Sequence, residues 1–251
     1  MLKTERMDRV RAALRAQGLT QMIVCDPKSV WYLTGVAVEP YERLLALYLP
    51  TEGEPVLFLN RLFNVPEPPC RTVWHTDTDK PVAQIAEVVD AGRPLGIDKE
   101  WPAKFLIPLM ETHPGMQVVL SSDCVDDCRA CKDAEEQTLM REASRINDAV
   151  NEAAKHYIKA GMTEREVAEF IDAQFRAHGC EGPSFTTIVS FGANAADPHH
   201  EPDDTVLKEG DCVLFDMGCV KSRYCSDMTR TWFCGCLLYT SDAADEGLGV
   251  D

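Results

Sequence analysis

The sequence predicts an α/β domain over residues 1–127 and an α+β domain over residues 128–235. Two patterns and a break between them carry this reading. Short apolar β-runs alternate with amphipathic helical stripes through the first part of the chain, as in an α/β fold. A long helical stripe then opens near Asp133, and a second helix and a set of strands follow it without further alternation. The stretch 121–131 separates the two patterns.

Residues 5–17 carry Met7, Val10, Ala13 and Leu14 on one stripe, with Gly18 as the stop. Leu19–Cys25 reads as a strand and Asp26-Pro27 as a turn, and Val30–Gly35 follows. Leu44–Leu49 and Pro55–Leu59 are strands around a Pro50–Glu54 turn, and Val65–Pro69 is a proline-rich loop. Val73–His75 is a short strand, Pro81–Ala91 helical, Leu95–Asp98 a strand, Pro102–Thr112 helical and Gln117–Leu120 a strand. Beyond the junction a helix spans about Asp133 to Lys159, with Leu139, Ala143, Ile146 and Val150 on one face and Gly161 as the stop. Thr163-Glu164-Arg165-Glu166 is a capping box for the next helix. Its apolar face is Val167, Phe170, Ile171 and Phe175, and it ends at Gly179. Thr186–Phe191 is rich in β-formers.

Composition narrows the function classes. The 251 residues hold 41 acidic and 25 basic side chains, a net charge of −16. So acidic a chain is a poor partner for nucleic acid or an anionic membrane. No apolar run approaches the ~20 residues that span a bilayer, and the charged N-terminus lacks the apolar core of a signal peptide. Eleven cysteines, an odd count, fit reduced thiols in a cytoplasmic protein better than a disulfide framework.

The stretch Cys212–Phe233, CVLFDMGCVKSRYCSDMTRTWF, reads as two strands joined by a turn. A turn centred on Lys221-Ser222 puts Asp216 opposite Asp227. Directly opposed residues share a face with Cβ atoms about 5 Å apart. Two carboxylates there repel each other unless a cation lies between them, and their oxygens suit hard divalent ions. Pairing with Arg223 or Arg230, or simple solvation, is the plainer alternative for the same spacing. Elsewhere, Cys124-x3-Cys128-x2-Cys131 has the spacing that holds a [4Fe–4S] cluster in radical S-adenosylmethionine enzymes. Its place at a domain junction, rather than in a loop near the start of a barrel, counts against a cluster there. His75, His113, His156 and His178 read as surface or helix-end residues, and Asp77, Asp79, Asp203 and Asp204 as solvated turn acids.

The string D-M-G-x5-Y-x-S-D-M-T-R-T resembles the signature hairpin of the Xaa-Pro peptidases, the "pita-bread" metallopeptidases that include prolidase and aminopeptidase P. The YLTG of Tyr32–Gly35 and the linker VDDCRACKDAEEQTLMREA are similar to the same family, as is Ser184–Pro202, SFTTIVSFGANAADPHHEP. The resemblance implies a creatinase-like N-terminal domain, active in dimerisation, ahead of a pita-bread catalytic domain. It implies that Asp216 and Asp227 are the first two of five ligands to two divalent ions, Mn²⁺ or Co²⁺. Asp227 would bridge both ions, and His199 would steady the oxyanion of the tetrahedral intermediate. His200 is a less definite counterpart. The implied substrate is a short peptide with proline at its second position, and the implied assembly a homodimer. The remaining ligands, a histidine and two glutamates, fall beyond Asp251, so the resemblance implies an incomplete, inactive catalytic domain. Residues 236–251 resemble nothing in the family and read as a non-native tail. Two other readings stay open: a non-catalytic pita-bread binding protein, and a metal-free creatinase-type amidinohydrolase.

Overall fold

The computed structural model describes residues 2–235, and the tail predicted at 236–251 lies outside them. The chain divides between Lys132 and Asp133 into two compact units.

In the first unit, α1 (Thr4–Ala16) buries Met7, Val10 and Leu14, the stripe the periodicity predicts. After β1 (Gln21–Val24), the Asp26-Pro27 pair is not a free turn. Asp26 caps α2 (Pro27–Thr34) by accepting from the Ser29 amide at 2.9 Å, and Pro27 fills the first helical position. An aspartate cap followed by proline is a helix start, because the cap supplies an acceptor and proline lacks only an amide that has no partner there. Gly35 ends the helix at φ 75°. Strands β2 (Ala46–Pro50), β3 (Val56–Asn60) and β4 (Arg71–His75) follow, then α3 (Pro81–Ala86), β5 (Leu95–Ile97), α4 (Ala103–Thr112), β6 (Val118–Leu120) and α5 (Asp123–Ala130). The six strands form one mixed sheet in the order β4-β3-β2-β1-β5-β6. His75 is a correction: it is 2 % exposed, its Nε2 lying 3.2 Å from the Leu44 carbonyl. As the last residue of a strand paired along β3, it is carried inward with the sheet. Asp77 is held by Arg43 through two bonds of 2.9 Å.

The second unit opens with α6 (Ala134–Tyr157), whose start is a capping box: Asp133 accepts from the Glu136 amide and Glu136 accepts from the Asp133 amide, both at 2.9 Å. The buried stripe of α6 includes Ala143, Val150 and Ala154 as the pattern suggests, and also Asn147 and Asn151. The Thr163–Glu166 capping box forms as read and starts α7 (Glu164–Ala177), which buries Val167, Ile171 and Phe175. Strands β7 (Gly182–Pro183), β8 (Ile188–Phe191), β9 (Cys212–Met217), β10 (Cys219–Lys221), β11 (Tyr224–Cys225) and β12 (Met228–Phe233) complete the unit. They make two three-stranded sheets, β12-β9-β8 and β11-β10-β7. Val213, Phe215 and Met217 join the buried residues of α6 and α7 in one core.

Candidate functional site

Strand β9 alternates strictly. Val213, Phe215 and Met217 are buried, and Cys212, Leu214 and Asp216 on the other face are half-buried. Burial of the odd-numbered side chains fixes which face the acid takes, because a one-residue slip would turn the whole set over. Asn147 of α6 donates its Nδ2 to the Met217 carbonyl at 3.0 Å, a tether one residue from Asp216.

The register differs from the expected one. The two-residue loop is Ser222-Arg223, both left-handed at φ 49° and 67°. Such a loop joins two-residue hairpins because its twist matches that of the flanking strands. Neither residue is the glycine or asparagine that signals this turn in a sequence, so a turn one position earlier looked equally good. Asp216 therefore stands opposite Thr229, whose hydroxyl donates to Asp216 Oδ1 at 2.8 Å. Continuing the same pairing puts Asp227 opposite Gly218, on the diagonal from Asp216. The two carboxylates therefore do not confront each other, and the pairing is interrupted at Gly218 and Asp227, between the β9–β12 and β10–β11 pairs. Asp227 is exposed and makes no hydrogen bond or ion pair with the described residues. Gly218 is required where it stands: a Cβ there would collide with the Ser226 carbonyl oxygen and the Ser184 hydroxyl.

His199 follows a short 3₁₀ turn, Gly192–Ala196. It is exposed, and its amide donates to Asp197 Oδ1 at 2.9 Å. It has no hydrogen bond to Asp216 or Asp227. The structure thus places Asp216 on β9 and Asp227 in the break just ahead of β12, and leaves His199 on a separate loop.

Two groups escaped the sequence reading. Glu164, first residue of α7, is 0 % exposed and accepts from His200 Nε2 at 2.6 Å. Glu164, His200 and Asp203 each offer a ligand atom within 4.8 Å of the others. The glutamate is hidden in sequence because it sits inside an ordinary capping box, where a second acid only suits the helix dipole. The other is Asn147, a polar residue on a stripe read as apolar.

The cysteine triplet does not converge among the described residues. Cys124 and Cys128 lie one turn apart on α5 and pack into the core of the first unit, while Cys131 ends the helix exposed. Burial, reinforced by the nearby Asp123, pushes the Cys124 thiol up to about 11, away from the thiolate that a metal needs.

Residues 6–131 match the family model of the creatinase/prolidase N-terminal domain, and residues 138–246 that of metallopeptidase family M24. An uncharacterised peptidase of Staphylococcus epidermidis is 30% identical over 226 residues, which are 88% of this chain and 64% of the relative. A putative dipeptidase of Bacillus subtilis is 31% identical over 242 residues, 90% of this chain and 65% of the relative. Among solved structures, the prolidase of Thermococcus sibiricus superposes with a TM-score of 0.81 at 29% identity, covering 94% of this chain and 66% of that one. A dipeptidase from Mycobacterium ulcerans superposes at 0.84 with 29% identity, covering 97% and 67%. The chain spans just under two thirds of the length of these curated relatives.

Proposed function

The chain belongs to metallopeptidase family M24 and carries its creatinase/prolidase N-terminal domain, and on that premise we propose that the whole protein hydrolyses the Xaa-Pro bond at the N-terminus of a short peptide. The observation that carries this reading is the hairpin that sets Asp216 on β9 and Asp227 immediately ahead of β12. It lies within the M24 match, and relatives named prolidase and dipeptidase share the fold.

The donor set suits a divalent ion. Both candidates are hard oxygen ligands, and Asp227 has no competing protein partner among the described residues. The Ser190 hydroxyl, on the same sheet face as Asp216, is fully buried with no partner among the described residues, so that face holds unsatisfied polar capacity. Asp216 and Asp227 would hold Mn²⁺ or Co²⁺ together with ligands from beyond this chain. Bound divalent ions supply a more acidic water and a polarised carbonyl. The chain's own residues do the rest. Thr229 orients Asp216 by its hydroxyl, Asn147 anchors the end of β9, and His199 donates a hydrogen bond to the oxygen of the attacked carbonyl as charge develops on it. The N-terminal unit would serve a homodimer, and the setting would be the cytoplasm.

The test is hydrolysis of Xaa-Pro dipeptides and longer Xaa-Pro peptides by a protein of the relatives' full length, with metal content measured alongside. Turnover that needs Mn²⁺ or Co²⁺ and fails in Asp216→Asn and Asp227→Asn is expected. Metal-independent turnover, or wild-type metal content in both variants, would remove the assignment.

A further inference from the structure

Glu164 is a charged side chain with no solvent exposure. Such burial costs several kcal/mol unless every acceptor site finds a donor. Here the sites are filled. Oε1 accepts from the Phe191 amide at 2.7 Å and from Asn194 Nδ2 at 3.0 Å; Oε2 accepts from His200 Nε2 at 2.6 Å and from the Asp203 amide at 3.1 Å. Capping α7 does not require this, since Thr163 and Glu166 already form the box. The donors come instead from the two ends of one segment, Phe191 and Asp203, and from two side chains between them. That segment carries His199.

We propose that Glu164 is a positioning residue for the histidine loop, locking His200 in the Nε2–H tautomer and through it fixing where His199 stands. The tautomer follows from the acceptor. A carboxylate ringed by N–H donors can only accept, so the proton of the 2.6 Å contact sits on His200 Nε2. The downstream end is reinforced by backbone pairing: the Glu164 amide donates to Thr205 at 3.2 Å and the Arg165 amide to Asp203 at 3.1 Å. The upstream end runs into β8, where Phe191 pairs with Val213. The converging atoms of Glu164, His200 and Asp203 leave no place for an ion, because a carboxylate already accepting four donors has no lone pair to spare for one. The role for His199 depends on the peptidase reading; the Glu164–His200 pair does not.

The test has a spectroscopic arm and a kinetic arm. In residues 1–251, ¹⁵N NMR of the imidazoles should show His200 as the Nε2–H tautomer with a slowly exchanging proton. Glu164→Gln keeps the shape but leaves one oxygen to accept. It should abolish that signature and speed amide exchange at Phe191 and Asp203 at least tenfold, with Val213 and Phe215 unchanged. An Nδ1–H tautomer in the wild-type protein overturns the proposal even if the variant fails to fold. So does Zn²⁺ or Mn²⁺ displacing the Nε2 proton. In a protein of the relatives' length, His200→Gln should lower kcat at least tenfold with KM within about threefold. An unchanged kcat would overturn the positioning role. Absence of any wild-type hydrolysis would instead defeat the peptidase reading, with the Glu164–His200 pair decided by the spectra.

Discussion

Thr229 donates its hydroxyl to Asp216 Oδ1 at 2.8 Å, and that contact sets what a neutral substitute does. Asparagine keeps an oxygen for it. Solvent also limits what removing a charge can gain, since Asp227 is exposed and Asp216 half-buried, and two charges even about 5 Å apart in water repel by only roughly 0.8 kcal/mol. Asp216→Asn and Asp227→Asn should therefore change the melting temperature of the metal-free protein little. The contrast should appear on adding Mn²⁺, because a ligand that binds only the folded state stabilises it in proportion to its affinity. Wild type is expected to gain more than either variant. Equal gains in all three proteins would show that neither acid binds the ion.

On the scale of the elements, α6 shows where pattern reading runs out. Its Ala143–Val150 face follows from helical periodicity, and so do the Thr163–Glu166 capping box and the Val167–Phe175 face of α7. Asn147 and Asn151 lie on that same face, but the Asn147 amide makes sense only once β9 is in place. The same holds for the hairpin turn, chosen by strand twist rather than by its residues, and for His75, drawn inside by its sheet. Asn147 is open to a direct test. Its Nδ2 serves Met217 while its Oδ1 is buried without a partner among the described residues. Asn147→Asp removes the donor and buries a charge against a carbonyl, at a cost of about 3 kcal/mol or more. Asn147→Leu also loses the bond but removes the orphaned oxygen, so it should cost less. Denaturant midpoints would measure both, and the reverse order would deny the tether. Helix α5 offers a second test. The Cys124 thiol rises from 9.0 in the unfolded chain to about 11 in the fold because burial disfavours its thiolate. A raised pKa of this kind contributes stability that is complete below the unfolded value and lost as pH climbs through the folded one. Melting temperatures should fall more steeply between about pH 9 and 11 in wild type than in Cys124→Ala. Parallel slopes would show that the thiol is not sealed in the core.

At the scale of the whole molecule, the two-unit order and the family were legible because they depend on long stretches: alternation in one half, and a hairpin with its flanking loop in the other. The metal chemistry is less local. Asp216 stands on β9 with a core behind the strand and Asp227 precedes β12, but His199 hydrogen-bonds to neither, and the chain spans only 64% of a curated relative. Two carboxylates leave a divalent ion mostly hydrated, since such ions take six or more oxygen ligands. An ion so loosely held neither orders a substrate carbonyl nor acidifies its water by the several pKa units that hydrolysis at neutral pH requires. Residues 1–251 should accordingly bind Mn²⁺ weakly and leave Xaa-Pro peptides intact, while a protein of the relatives' length cleaves them. Parallel assays at equal protein and metal concentration decide the matter. Turnover by residues 1–251 that vanishes in Asp227→Ala would mean that ligands within this chain complete the site.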